Sequence, residues 1–200
     1  MIAGAGSNVV VHIGEDGVIV VDTGLAERAE NVLAEIERLT DQPIRYIVNT
    51  SADIDHVGGN AVLSKAGQPL TPIGYRRFGI EFDDSAPILA EERVLLRMSF
   101  SAEEDSGPPL SPPTITYAAA WGEPQRKFVL NGDAIQVMHQ PAAHTDGDSL
   151  VYFRRSDVLV TGDVFDIRRF PVIDLDRGGS VQGLIDSLNR IIEMTFPSTP

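Results

Sequence analysis

Ser51-Ala52-Asp53-Ile54-Asp55-His56-Val57-Gly58-Gly59-Asn60 is the most informative stretch of this chain. It is polar and Gly-rich, and it follows residues 44–50, an apolar run that reads as a mostly buried strand. Carboxylates and an imidazole packed this closely are the donor types that hold divalent cations. Each has a plainer role when taken singly. An Asp after a strand commonly caps a turn, and a loop His is commonly solvated.

Upstream, residues 8–14 and 18–22 are β-branched runs flanking Glu15-Asp16-Gly17, a hairpin signal. The second run stops abruptly at Asp22-Thr23-Gly24. Leu25, Ala29, Val32, Leu33, Ile36 and Leu39 then follow at helical spacing, with Glu and Arg on the other face. Asp41-Gln42-Pro43 ends that helix before the strand at 44–50. Strand, helix and strand in this order point to a layered α/β fold.

Downstream, the sequence predicts a short helix over 60–66 and a second helix over 86–98, carrying Ile88, Leu89, Leu95, Leu96 and Met98. Residues 101–113 are acidic and rich in Ser and Pro, and they read as a mobile surface loop. Two more hairpins follow. Residues 127–130 and 134–139 flank Asn131-Gly132-Asp133, and residues 150–153 and 158–161 flank Arg154-Arg155-Ser156-Asp157. Ser180 caps a last helix with Val181, Leu184, Ile185, Leu188, Ile191 and Ile192 on its apolar arc. There is no fixed-period repeat and no interdomain linker. The pattern suits two sheets facing each other with helices outside.

Two further polar loops come directly after apolar strands: His144-Thr145-Asp146-Gly147-Asp148 and Thr161-Gly162-Asp163. Strand ends converge on one sheet edge, so the three loops can meet. Their joint order resembles the metallo-β-lactamase superfamily. In that family a loop reading His-x-His-x-Asp-His and then Gly-Gly-Asn stands where residues 51–60 stand here. Asp22-Thr23-Gly24, Asn49-Thr50, His144-Thr145-x-Gly147-Asp148 and Thr161-Gly162-Asp163 match its other motifs. The resemblance spans nearly the whole chain. It implies a single domain over 1–200, a four-layer αββα sandwich with two mixed sheets, and one or two divalent metal ions. It implies His144 as a ligand of a first ion, Asp55 and His56 as ligands of a second, and Asp163 as a bridge. It places Asp22 behind the ligands, steadying the loop by hydrogen bonds. Asp55 is assigned to catalysis as well as to metal.

The departures matter as much. Ser51 and Asp53 stand where the family has two histidines serving the first ion. Serine is a poor zinc ligand. Asp53 remains a candidate ligand but makes the site harder, so manganese or iron become alternatives to zinc. A late histidine in a Pro-Gly-His-Gly-type loop has no counterpart, and the chain reads as lacking the last strand-helix portion of a longer protein. The implied activity is metal-dependent hydrolysis of a small ester-, thioester- or lactam-like substrate. The competing reading is a non-catalytic or truncated relative with weak or no metal binding.

Composition narrows the partners. A net charge of -13, from 29 acidic and 16 basic residues, disfavours nucleic acid. No apolar run suits a membrane span, and the N-terminus does not resemble a secretory signal, so a cytoplasmic location is favoured and a small-molecule substrate expected. There is no cysteine, which excludes disulfides and thiolate ligands. His12 alternates with apolar neighbours and is expected to face solvent or a helix. His139 reads as structural. Trp121 suits a pocket mouth or plain packing. Arg168, Arg169, Phe170 and Pro171 read as a surface loop, with contact to an anionic substrate group as the alternative.

Overall fold

Every residue of strand β3 (Gly17–Val21) is buried, and its two faces serve different layers. Val18 and Val20 pack on helix α1 (Ala29–Leu39), beside its Val32 and Ile36. Ile19 and Val21 pack on a second sheet. A strand covered on both faces needs apolar side chains throughout, which is why this run lacks the alternation of a half-exposed strand. Each such Val or Ile contributes about 1.5–3 kcal/mol by leaving water.

The computed structural model describes residues 1–70, 84–104, 110–118, 125–167 and 170–195. The first sheet runs in the order β1 (Ile2–Ala5), β2 (Ser7–Gly14), β3, β4 (Ile44–Val48), β5 (Ile88–Glu91), β6 (Ile115–Tyr117). It is mixed: β1, β2 and β3 are antiparallel, and β3 through β6 are parallel. The second sheet holds β7 (Gln125–Leu130), β8 (Asp133–Gln140), β9 (Asp148–Phe153) and β10 (Val158–Val160). Its pairings are all antiparallel, where a mixed sheet was expected. Ile135, Val137, Val151 and Phe153 face the first sheet, while Met138 and Leu150 face helix α5 (Val181–Thr195). Helices α2 (Ile54–Val57) and α3 (Asn60–Ala66) follow β4, and α4 (Glu92–Glu104) follows β5. The architecture is the expected αββα sandwich.

Three expectations need correction. The helix predicted over 86–98 is strand β5 followed by α4. Ile88, Leu89 and Ala90 are buried within a parallel sheet, and a short apolar run has no period that separates strand from helix. The start of the expected loop over 101–113 continues α4 as far as Glu104. His12 faces neither solvent nor a helix. Its ring stacks on Phe153 of the second sheet at 4.8 Å, and its Nε2 lies 3.5 Å from Asp133. Helix α5 forms with Ser180 as its cap, the Gly183 amide donating to Ser180 Oγ at 2.9 Å. Its buried face is narrower than its apolar arc, however: Leu184 and Leu188 pack inward, and Val181, Ile185 and Ile192 are exposed. Trp121, Arg168 and Arg169 lie outside the described residues. Among the described residues, no helix is long and apolar enough to cross a membrane.

Candidate metal centre

The carboxyl ends of β3, β4, β8 and β10 open on one edge, and the three polar loops meet there. Ser149 of β9 donates its backbone N–H to the Thr50 carbonyl at 2.9 Å, closing the two sheets together beneath the loops. Asp22 leaves β3 with φ 61, a left-handed conformation that turns its carboxylate under the 51–60 loop. That carboxylate accepts the Thr50 amide at 2.8 Å and the Thr50 hydroxyl at 2.7 Å, and lies 2.9 Å from His56 Nδ1.

The polar residues flanking the loop fix its path. The His56 carbonyl accepts the Thr23 hydroxyl at 3.0 Å and the Asn49 amide at 3.2 Å. Asn60 Oδ1 accepts both Thr23 Oγ1 and Asn49 Nδ2, and Asn60 Nδ2 donates to Asn49 Oδ1 at 2.9 Å. Gly59 must be glycine here because a Cβ would stand 2.4 Å from the Thr23 carbonyl oxygen. The Asp22-Thr23-Gly24, Asn49-Thr50 and Gly58-Gly59-Asn60 motifs are therefore one hydrogen-bonded frame that aims His56.

Within that frame, His56 Nε2 points to Asp163 Oδ2 at 3.1 Å and stands 4.0 Å from Asp55 Oδ2. Asp163 lies in the single turn Gly162–Val164 after β10. The same Asp163 oxygen is 3.8 Å from His144 Nε2, so one carboxylate lies between the two imidazoles. His144 Nε2 is 2.8 Å from Asp53 Oδ2, and its Nδ1 is held by the Val172 carbonyl at 2.9 Å. Asp53, His144 and Asp163 each offer a ligand atom, all within 4.8 Å of one another. Ligand atoms about 2.0–2.2 Å from one ion stand about 3.3–3.6 Å apart in a tetrahedral site, so Asp53 and His144 would part slightly and Asp163 would close in.

The structure thus gathers Asp53, His144 and Asp163 into one cluster and joins His56 to it through Asp163. Asp55 stands apart. Its side chain is 37% exposed, and its backbone carbonyl accepts the Ser7 hydroxyl at 2.5 Å. Ser51 is buried and offers its hydroxyl oxygen to the Asp53 amide at 3.3 Å, a role in holding the loop. His139, read as structural, is buried with its Nε2 2.6 Å from the Asp146 carbonyl.

One residue escaped the sequence reading. Arg177 pairs with Asp53 through Nη1 and with Asp174 Oδ2 through Nε at 2.6 Å. Nothing in the motif order points to it. The one local signal is the Asp174-x-x-Arg177 spacing just ahead of Gly178-Gly179.

The charges are strongly coupled. Burial works against protonating His56, yet the Asp22 and Asp163 carboxylates outweigh it and hold the imidazole well above its usual value. The Asp53 hydrogen bond pushes His144 up to about 9 against some burial. Burial opposes ionisation of Asp53, but hydrogen bonds from His144 and Arg177 keep its carboxyl far below the usual range. Burial pushes Asp148 up to about 6, against hydrogen bonds from Thr145.

The residues fit a divalent cation. The donors are carboxylate oxygens and imidazole nitrogens. His56 Nε2 is buried and, close as it is to Asp163, makes no hydrogen bond of acceptable geometry. A buried ring nitrogen left in that state is what a ligand atom without its ion looks like.

Comparison with known proteins agrees with this geometry. The family model described as the metallo-beta-lactamase superfamily matches residues 2–195. Among solved structures, a metallo-beta-lactamase from Pontibacter korlensis superposes with a TM-score of 0.65 at 19% identity, covering 92% of this chain and 72% of that one. The BLEG-1 B3 metallo-beta-lactamase gives 0.62 at 20% identity, covering 91% and 78%. A Cronobacter sakazakii metallo-beta-lactamase described by a HARLDQ motif gives 0.56 at 22% identity, covering 91% and 66%. No curated protein matches by sequence. At these identities the structures speak for the fold. Together with a family model spanning nearly the entire sequence, and a frame built from the family's own motif residues, they establish that this chain belongs to the metallo-β-lactamase superfamily.

Proposed function

We propose that the protein is a metal-dependent hydrolase of a small ester-, thioester- or lactam-like substrate, using a divalent cation held by Asp53, His144 and Asp163. The convergence of these three side chains is the observation that carries the reading. Zinc is the first choice, with manganese or iron as alternatives for an oxygen-rich donor set. A bound cation would supply Lewis acidity, activating water and polarising the scissile carbonyl.

The chain's own groups do the rest. The Val172 carbonyl fixes the tautomer and direction of His144, leaving Nε2 for the cation. Asp22 does the same for His56, leaving its Nε2, beside Asp163, available to a second cation. Asp55, partly exposed and ahead of His56, offers a carboxylate to accept a proton from the attacking water and deliver it to the leaving group. The net charge of -13 disfavours nucleic acid as the substrate.

Metal analysis of chelator-free preparations, followed by titration, tests the reading. About one or two equivalents of cation should bind, with uptake lost in Asp163→Ala and hydrolysis of a panel of ester, thioester and lactam substrates lost with it. Less than about a tenth of an equivalent, with none taken up on titration, would sink it. A second reading, a relative that binds no metal, draws support from one observation: Arg177 already pairs with Asp53.

A further inference from the structure

Arg177 is built into the site with care. Its backbone N–H donates to Asp174 Oδ1 at 3.0 Å and its Nε to Asp174 Oδ2 at 2.6 Å. Its carbonyl accepts the Asp146 amide at 3.0 Å and the Arg97 guanidinium at 2.7 Å. The Asp174 amide in turn donates to the His144 carbonyl at 2.9 Å. Gly179 lies so close that a Cβ there would stand 2.1 Å from the same carbonyl oxygen. The turn bearing Arg177 is therefore bolted to the loop bearing His144. The guanidinium then reaches Asp53, a partner 124 residues away in sequence.

The two oxygens of Asp53 have different partners. Oδ1 meets Arg177, and Oδ2 meets His144. A divalent cation among Asp53, His144 and Asp163 would need an Asp53 oxygen, and it would meet a fixed positive charge already on that carboxylate. Repulsion between like charges at this range, away from full water screening, is substantial. The Arg177 side chain is 41% exposed, and Asp174 keeps hold of its Nε, so its head can leave Asp53 without losing every partner.

We propose that Arg177 is a built-in competitor for the cation: its guanidinium neutralises Asp53 in the metal-free protein, and loading proceeds by displacing it. Arg177 thereby sets the metal affinity of the site. The inference rests on the cation reading given above, and the two fail in different ways.

The test uses the full chain, stripped with chelator and titrated with zinc alone at fixed pH and ionic strength. Arg177→Gln and Arg177→Met should each bind zinc at least tenfold more tightly than the wild type, a gain of about 1.4 kcal/mol. Zinc uptake by the variants but not by the wild type would support the proposal equally. A wild type that binds zinc as tightly as both variants, or more tightly, overturns it and leaves the cation site standing. No uptake by any of the three overturns both. The wild type alone gives a second readout, independent of how well the variants fold. The Arg177 side-chain 15N–1H resonances should shift as zinc saturates the site, and unchanged resonances at saturation refute displacement.

Discussion

Replacing Asp22 with alanine should cost more stability than removing any proposed metal ligand, although Asp22 holds no metal. Its carboxylate is 1% exposed and serves the Thr50 amide, the Thr50 hydroxyl and His56 Nδ1 together. Deleting it leaves a buried N–H, a buried hydroxyl and the buried His56 imidazole, whose charged form it favours, without their acceptor. Breaking a buried charged pair from one side costs about 3–5 kcal/mol. Alanine at φ 61 adds about 1 kcal/mol of left-handed strain that Asp and Asn bear more easily. The sum, about 4–6 kcal/mol, approaches the whole stability of a marginal domain, commonly about 5–15 kcal/mol. Asp22→Asn is the graded partner, because it keeps one acceptor oxygen and suits the backbone, and its cost should be near 1–3 kcal/mol, roughly that of one unsatisfied buried group. Urea unfolding of chelator-treated protein at neutral pH, followed by circular dichroism, measures both. Asp22→Ala within about 1 kcal/mol of the wild type would refute the reasoning, because the frame under the 51–60 loop would then stand without its anchor.

The remaining predictions concern the helix behind the site and the titration of its imidazoles. Gly183→Ala in α5 should destabilise by about 1–3 kcal/mol in thermal or urea unfolding, against a helix-propensity gain of about 1 kcal/mol, because the new Cβ would stand 2.1 Å from the Ala142 carbonyl oxygen. His144 is pushed up to about 9 in the fold from an ordinary 6.5, chiefly by Asp53. Its raised value means that the stabilisation is complete below about 6.5 and is lost as pH rises through about 9, amounting to a few kcal/mol. The stability gap between metal-free wild type and Asp53→Asn should therefore narrow over that window, and a gap that stays constant would show that the His144–Asp53 pair contributes nothing. Zinc binding at neutral pH should release protons from His144 and His56, visible by calorimetry in buffers of different ionisation enthalpy, with affinity rising as pH rises.

Much of the fold was legible because the motif residues are its mechanical joints. Thr23, Asn49, Gly59 and Asn60 bond or pack directly against one another, so their spacing in sequence encodes the path of the loop. Strand β5 was illegible for the opposite reason. Ile88-Leu89-Ala90 is buried on both faces, and its strand character comes from neighbours β4 and β6, which are distant in sequence. The exposed stripe on α5 follows the same logic, since apolar spacing gives the helix but not the width of the surface it meets. At the site, motif order pointed to His56, His144 and Asp163, which the fold brings together, whereas Asp55, named by the same motif, stands apart and the role of Asp53 was visible only in part. Reading it as a substituted ligand says nothing of Arg177, because an ion pair across the sandwich leaves no local pattern.

The charge balance of the site is carried by the chain's own groups. Asp22, Asp53, Asp55 and Asp163 crowd four carboxylates around a mostly buried edge. Left uncompensated they would repel one another and resist burial. In the metal-free protein the compensation comes from within. His56 and His144 are driven toward their protonated forms by these very carboxylates, and Arg177 brings a charge that no pH change removes. A bound cation would compete with protons for the lone pairs on His56 and His144, and with Arg177 for Asp53. A site with histidines at 51 and 53 would have fewer carboxylates to neutralise and would leave the guanidinium only Asp174. Asp53 and Arg177 thus make sense as a pair: the substitution that weakens zinc coordination is the one that gives Arg177 its partner. Changing Asp53 to histidine alone would leave a cation facing Arg177, so a gain in zinc affinity from that change requires removing Arg177 with it.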